Sequence, residues 1–144
     1  MVLRADALRA RLLKLEEVIS RLEEIARTGA AAGSATFRDA WAAERGLQLG
    51  AEIVLDVGNH VLSAHFGVSA QDHEDVIVQL ERCGVISRAL RERLKGLGGF
   101  RNILVHDYLR LDPDRVAAHL ARAPRDFSEF AAAVRAWVDG LPTT

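Results

Sequence analysis

The sequence predicts an all-α chain of five to six helices, and three observations carry that prediction. Apolar residues recur at alternating steps of three and four, the period of one helix face, along most of the 144 residues. Alanine, leucine, arginine and glutamate are abundant and proline occurs only three times, a balance that favours helix. No segment reads convincingly as a strand. With 49% hydrophobic and 27% charged residues, the composition is that of a soluble globular chain, and residues 1–144 suit a single domain with a sizeable core.

The first helix is expected from Arg4 to Arg27. Leu8, Leu12, Leu15, Ile19, Leu22 and Ala26 form one apolar seam, widened by Val18 and Ile25, while Glu16, Glu17, Arg21, Glu23 and Glu24 face water. The small residues from Gly29 to Ser34 end it. The second helix, Phe37 to His65, is apolar nearly all round, which predicts burial on more than one side. Gly46 and Gly50 allow another backbone to approach. The polar groups on this helix include Arg45, Glu52, Asp56, Asn59 and His60, and they need partners. For the last three, internal hydrogen bonds and a place lining a site are both open.

Ser69 or Asp72 caps a short third helix that runs through Leu80 and Glu81 and stops at Cys83-Gly84, with Gly84 left-handed. Ser87 caps a fourth helix with Leu90, Leu94 and Leu97 inward. That helix leads through Gly96, Gly98 and Gly99, read as a distortion within a helical region, into the stretch Phe100 to Tyr108. Asp112 and Pro113 open a fifth helix that ends before Pro124. The last helix carries Phe127, Phe130, Val134, Trp137 and Val138 on one face and closes at Gly140, with a frayed end from Leu141 to Thr144.

Net charge is −1, so global charge does not announce a nucleic-acid partner. Between Arg82 and Arg115, however, eight basic residues stand against four acidic ones, which reads either as a mildly basic surface or as a solvated helix face. Cys83 is alone, so no internal disulfide forms, which fits a reducing, cytoplasmic setting. No signal pattern and no uncharged membrane-length run is seen. The five histidines lack the spacing of a zinc site, so no metal is expected.

The chemistry concentrates in Gly99-Phe100-Arg101-Asn102-Ile103-Leu104-Val105-His106-Asp107-Tyr108. On a helix, Phe100, Ile103, Leu104 and Leu111 fall on one side, and Arg101, Asn102, His106 and Tyr108 on the other, with Val105 among them. Asn102 and His106 are four apart and adjacent. Arg101 and His106 are about 140° apart, and converge only if the helix bends or a second copy faces it. Arginine offers a permanent cation whose planar fork fits phosphate. Histidine exchanges a proton near neutrality. That pair, with an amide beside it, suits cleavage of an RNA phosphodiester by its own 2′-hydroxyl, a reaction that needs protons moved and charge stabilised but no protein nucleophile.

The pattern of Arg101, His106 and Tyr108 with Asn102 resembles the HEPN superfamily, and the HepT-like toxins within it. The resemblance extends to Ala43-Glu44-Arg45-Gly46-Leu47-Gln48, Asp56-Val57-Gly58-Asn59-His60 and Gly84-Val85-Ile86. It implies an up-and-down helical bundle that forms a homodimer, with two motif helices meeting across a cleft. It implies a metal-independent endoribonuclease without a cofactor, acting as the toxin of a toxin–antitoxin pair. The implied partner is an MNT-type nucleotidyltransferase that attaches AMP to the motif tyrosine, here Tyr108. The implied catalytic residues are Arg101 on the phosphate and His106 on the protons, supported by Asn102. A non-catalytic HEPN subunit presenting a nucleotide or substrate to a nucleotidyltransferase is the alternative.

Overall fold

The structure is a computed structural model and describes residues 2–30 and 36–142. Part of the expected Gly29–Ser34 break, residues 31–34, and the end of the expected frayed tail, residues 143–144, lie outside them. Helix α1 spans Ala5–Ile25 and ends in a π-helical turn, Ala26–Ala30. Helix α2 spans Phe37–Val61 with a second π turn, Leu62–Phe66. Then come α3 (His73–Arg82), α4 (Arg88–Leu94), α5 (Leu97–His106), a 3-10 turn (Tyr108–Arg110) and α6 (Pro113–Asp139). There is no strand among the described residues.

The α1 seam is the core that its spacing predicts: Leu8, Leu12, Leu15, Val18, Ile19 and Leu22 are all buried. They pack on α2 and α6. Helix α2 is the central element, in contact with α1, α3, α5 and α6. A reciprocal cap starts it, the Thr36 side chain accepting from the Asp39 N–H and the Asp39 carboxylate from the Thr36 N–H. A Cβ on Gly46 would sit 2.7 Å from Leu22, and one on Gly50 would run into the Phe127 ring. Both positions therefore hold neighbouring helices close, as their spacing suggested. The helix is not covered all round, though. Phe37 and Trp41, with ring centroids 4.4 Å apart, are 67% and 63% exposed.

Local signals mark several helix ends correctly. Asp72 and not Ser69 caps α3, accepting from the Asp75 N–H at 2.8 Å. Gly84, at φ 78°, terminates it. Ser87 caps α4 and Asp112 caps α6, with Pro113 in the first turn.

Three boundaries differ from expectation, the third being the end of α5 described with the site. Helix α6 runs straight through Pro124, joining the two helices expected there. An interior proline costs about 3 kcal/mol or more. The buried residues Val116, Leu120, Ala123, Phe127, Phe130, Val134 and Val138 nonetheless keep one unbroken stripe across it. At about 1.5–3 kcal/mol for each large side chain buried, that stripe outweighs the break. Arg93 of α4 also pairs with the buried Asp126 of α6 at 3.0 Å, and with Glu129, just beyond the proline.

The second difference positions the chemistry. The break before the motif falls at Lys95-Gly96, while Gly98 and Gly99 lie within the first turn of α5, as the helical reading expected. Lys95 is extended and Gly96 takes φ 89°, ψ −5°, so α4 and α5 are separate. Gly96 has no side chain to cap α5. Glu74 of α3 does it instead, its carboxylate accepting from the N–H groups of Gly96 (3.0 Å), Gly98 (2.7 Å) and Gly99 (3.4 Å). A carboxylate there also meets the positive end of the helix dipole. Gly98 makes the approach possible, because a Cβ would lie 2.7 Å from His73 Cβ. Glu74→Ala should lower stability by about 2–4 kcal/mol, the scale of several hydrogen bonds to a charged acceptor. Urea denaturation checks this, and a change near zero would mean that the cap is idle.

Candidate functional site

Helix α5 presents the motif one side at a time. Phe100, 1% exposed, anchors it in the core. Its ring lies flat on His119 of α6, centroids 3.7 Å apart and planes 7° from parallel, with the Arg115 guanidinium 5.7 Å from the Phe100 centroid. Ile103, Leu104 and Leu111, expected in the core, are only half-buried. The apolar side of the motif is thus partly open in this chain.

On the other side, Arg101 is half-buried while Asn102 and His106 are exposed. Arg101 reaches α2, its Nη2 lying 3.5 Å from Glu52 Oε1. Gln48, one turn earlier on α2, donates to the same carboxylate oxygen at 3.3 Å. Arg101 Nη1 also donates to Asn102 Oδ1 at 3.4 Å. These are long contacts. They aim the guanidinium while leaving it free to exchange partners. His106, in the last turn of α5, makes no side-chain hydrogen bond or ion pair among the described residues. Arg101 and Asn102 therefore meet within one chain, whereas Arg101 and His106 stay about 140° apart on a regular helix.

Tyr108 is not where a continuous helix would put it. Helix α5 ends at His106, because Asp107 turns to φ −128°, ψ 51°. Asp107 then pairs with Arg110 at 3.4 Å across the 3-10 turn. Tyr108, 71% exposed, hangs on that turn and lines a groove between α2 and α6 instead of stacking beside Arg101 on the helix.

Two other expectations resolve. His60 Nε2 accepts from the backbone N–H of Arg4 at 3.3 Å, an internal bond that holds the start of α1. Asp56 and Asn59 are exposed and line a separate cleft with Asp72 and His73, which no motif residue enters. Glu52 and Glu74 are what sequence reading missed in this region. Glu52 stood out as a charge on an apolar helix needing a partner, but nothing local names Arg101 as that partner. No helix among the described residues is long and apolar enough to cross a membrane.

His119 has a clear electrostatic signature. Burial first, then the charges of Arg122 and Arg115, lower its pKa from 6.5 to about 4. The neutral ring fits the contact with Arg122, whose Nη2 lies 3.4 Å from His119 Nδ1. Below pH 6.5 the unfolded chain takes up a proton that the folded one refuses. Stability is therefore full above that pH and should fall by on the order of 1–3 kcal/mol as pH drops from about 6.5 to 4. His119→Gln should flatten this part of a urea-midpoint-against-pH curve. An unchanged slope in the variant would assign it to other groups.

Comparison with known proteins finds relatives in sequence and in fold. A family model described as "Ribonuclease HepT-like" matches residues 15–134. The mRNA nuclease HepT of Shewanella oneidensis is 31% identical over 90 residues, which are 62% of this chain and 68% of that protein. The tRNA nuclease HepT of Aphanizomenon flos-aquae is 27% identical over 81 residues, 56% of this chain, and the match spans only 55% of that relative's length. Among solved structures, the tri-AMPylated HEPN toxin of Shewanella oneidensis in complex with MNT antitoxin superposes with a TM-score of 0.80. It is 25% identical, covering 92% of this chain and 99% of that one.

Proposed function

This chain belongs to the ribonuclease HepT-like family, and on that premise we propose that it is a metal-independent endoribonuclease, the toxin of a pair whose antitoxin is an MNT-type nucleotidyltransferase. The observation that carries the proposal is the one-sided motif helix. Phe100 fixes α5 in the core, while Arg101, Asn102 and His106 are left accessible to a substrate.

In the proposed reaction the ribose 2′-oxygen attacks the adjacent phosphorus. The bond from phosphorus to the 5′-oxygen breaks, giving a 2′,3′-cyclic phosphate and a 5′-hydroxyl. The 2′-hydroxyl loses a proton and the departing 5′-oxygen gains one. His106 handles these protons, since imidazole serves both directions near neutrality. Arg101 grips the phosphate and steadies the charge that builds on its oxygens. Glu52 and Gln48 aim Arg101, and Asn102, whose Oδ1 accepts from Arg101 in the single chain, orients His106 or the phosphate once substrate is bound. Because Arg101 and His106 diverge on one helix, a homodimer supplies the cation of one copy and the imidazole of the other to each site. The half-buried Ile103 and Leu104, and the exposed Phe37 and Trp41 on α2, offer apolar surface for such an association.

Tyr108, exposed at the end of the motif, is the proposed site of adenylylation by the antitoxin. Its phenolic oxygen attacks the α-phosphorus of ATP, the bond to the β-phosphate oxygen breaks, pyrophosphate departs, and the phenolic proton passes to solvent. The added negative phosphate then opposes the approach of RNA to the end of the motif helix. The direct test incubates the chain with RNA in EDTA and identifies the new ends. Cyclic phosphate ends support the proposal. Nucleotide binding without any cleavage would instead favour a non-catalytic HEPN subunit serving the nucleotidyltransferase.

A further inference from the structure

Beside Tyr108 lies a groove of 350 Å³ between the start of α2 and the start of α6. The buried Ala43, Val116 and Leu120 line it, and so do the half-buried carboxylates of Asp39 and Glu44. Among the described residues, no lysine, arginine or histidine lines it. Its size is at the low end of small-ligand sites, which run from about 300 to 1,000 Å³. An apolar slot of that size suits a flat ring. The carboxylates suit hydrogen-bond donors, and they repel phosphate.

We propose that this groove receives the adenosine of an adenylate carried on Tyr108, with the phosphate left outside at the tyrosine oxygen. The proposal rests on the preceding reading that Tyr108 is adenylylated, and it adds where the nucleotide goes. Three features choose this occupant. Tyr108 itself lines the groove, so a nucleotide on its oxygen starts at the mouth and loses little further freedom on entering. Adenine has apolar faces for the aliphatic lining, while its exocyclic amine and the ribose hydroxyls donate to Asp39 or Glu44. The absence of a cation disfavours a free phosphate or an RNA backbone, either of which would place its charge against two carboxylates. Docked this way, the adenylate is a folded-down plug, and its ester is shielded from enzymes that would remove it.

The test uses the full chain, adenylylated by its nucleotidyltransferase with ATP, with mass spectrometry locating the adenylate. Two variants probe the groove. Ala117→Trp fills it from an exposed lining position, and Glu44→Gln removes one charged acceptor with little change of shape. Phosphodiesterase should release AMP from either variant faster than from the parent chain, by about tenfold for Ala117→Trp, equivalent to about 1.4 kcal/mol of docking. Amide exchange around residues 39–44 and 116–120 should slow on modification in the parent chain but not in Ala117→Trp. Adenylate present on Tyr108 with equal release rates and no new protection overturns the groove alone. Absence of adenylate from Tyr108 under active conditions overturns the modification reading, and the groove assignment with it.

Discussion

His106→Ala should lower RNA cleavage by about 10²–10⁴-fold, the usual contribution of a positioned acid or base. Its folding stability should stay within about 0.5 kcal/mol of the parent, as expected for an exposed side chain with no bond to lose. The two outcomes are informative together. A helix that keeps its buried anchor Phe100 and its Glu74 cap remains in place when an exposed imidazole is removed. A loss of activity then reports chemistry and not unfolding. The measurement is single-turnover cleavage of a labelled RNA, alongside urea denaturation. Full activity in the variant would remove His106 from the proton transfers.

Arg101→Ala should cost about 10²–10³-fold, comparable to the loss of one donor that stabilises transition-state charge. Here a modest stability change is also expected, because the half-buried Glu52 loses its cation. Arg101→Lys separates charge from shape. An ammonium keeps the charge but cannot present a planar fork to phosphate. It should therefore recover only part of the lost rate. Recovery to the parent rate would reduce Arg101 to a point charge, and an Ala variant as active as the parent would remove it from the site.

The parts of this molecule legible in its sequence are those fixed by local rules. The α1 seam, the Asp72, Ser87 and Asp112 caps and the Gly84 terminator depend on residues within a few positions of each other, so spacing alone exposes them. Part of the motif also reads directly, because Arg101, Asn102 and His106 fall within six positions on one short helix. What stayed hidden depends on distant partners. The capping of α5 by Glu74 joins residues more than twenty positions apart, and the Arg101–Glu52 contact joins two helices. Pro124 signals a helix end by itself, yet the stripe from Val116 to Val138 carries α6 through it. Tyr108 followed the helical count until Asp107 broke it, a turn with no glycine or proline to announce it. The separation of Arg101 from His106 is the most instructive case, since the angle was readable from residue numbers and the finished helix preserves it.

That separation makes subunit mixing the most direct measurement. Arg101→Ala and His106→Ala chains, each inactive alone, are combined, unfolded together and refolded. If each site takes its cation from one copy and its imidazole from the other, half the dimers are mixed and each of these keeps one intact site. Activity should then return to about a quarter of the parent level, as two-fold symmetry requires. A mixture as inactive as its components, with mixed dimers demonstrated by mass spectrometry, would contradict a site shared between two copies of this chain.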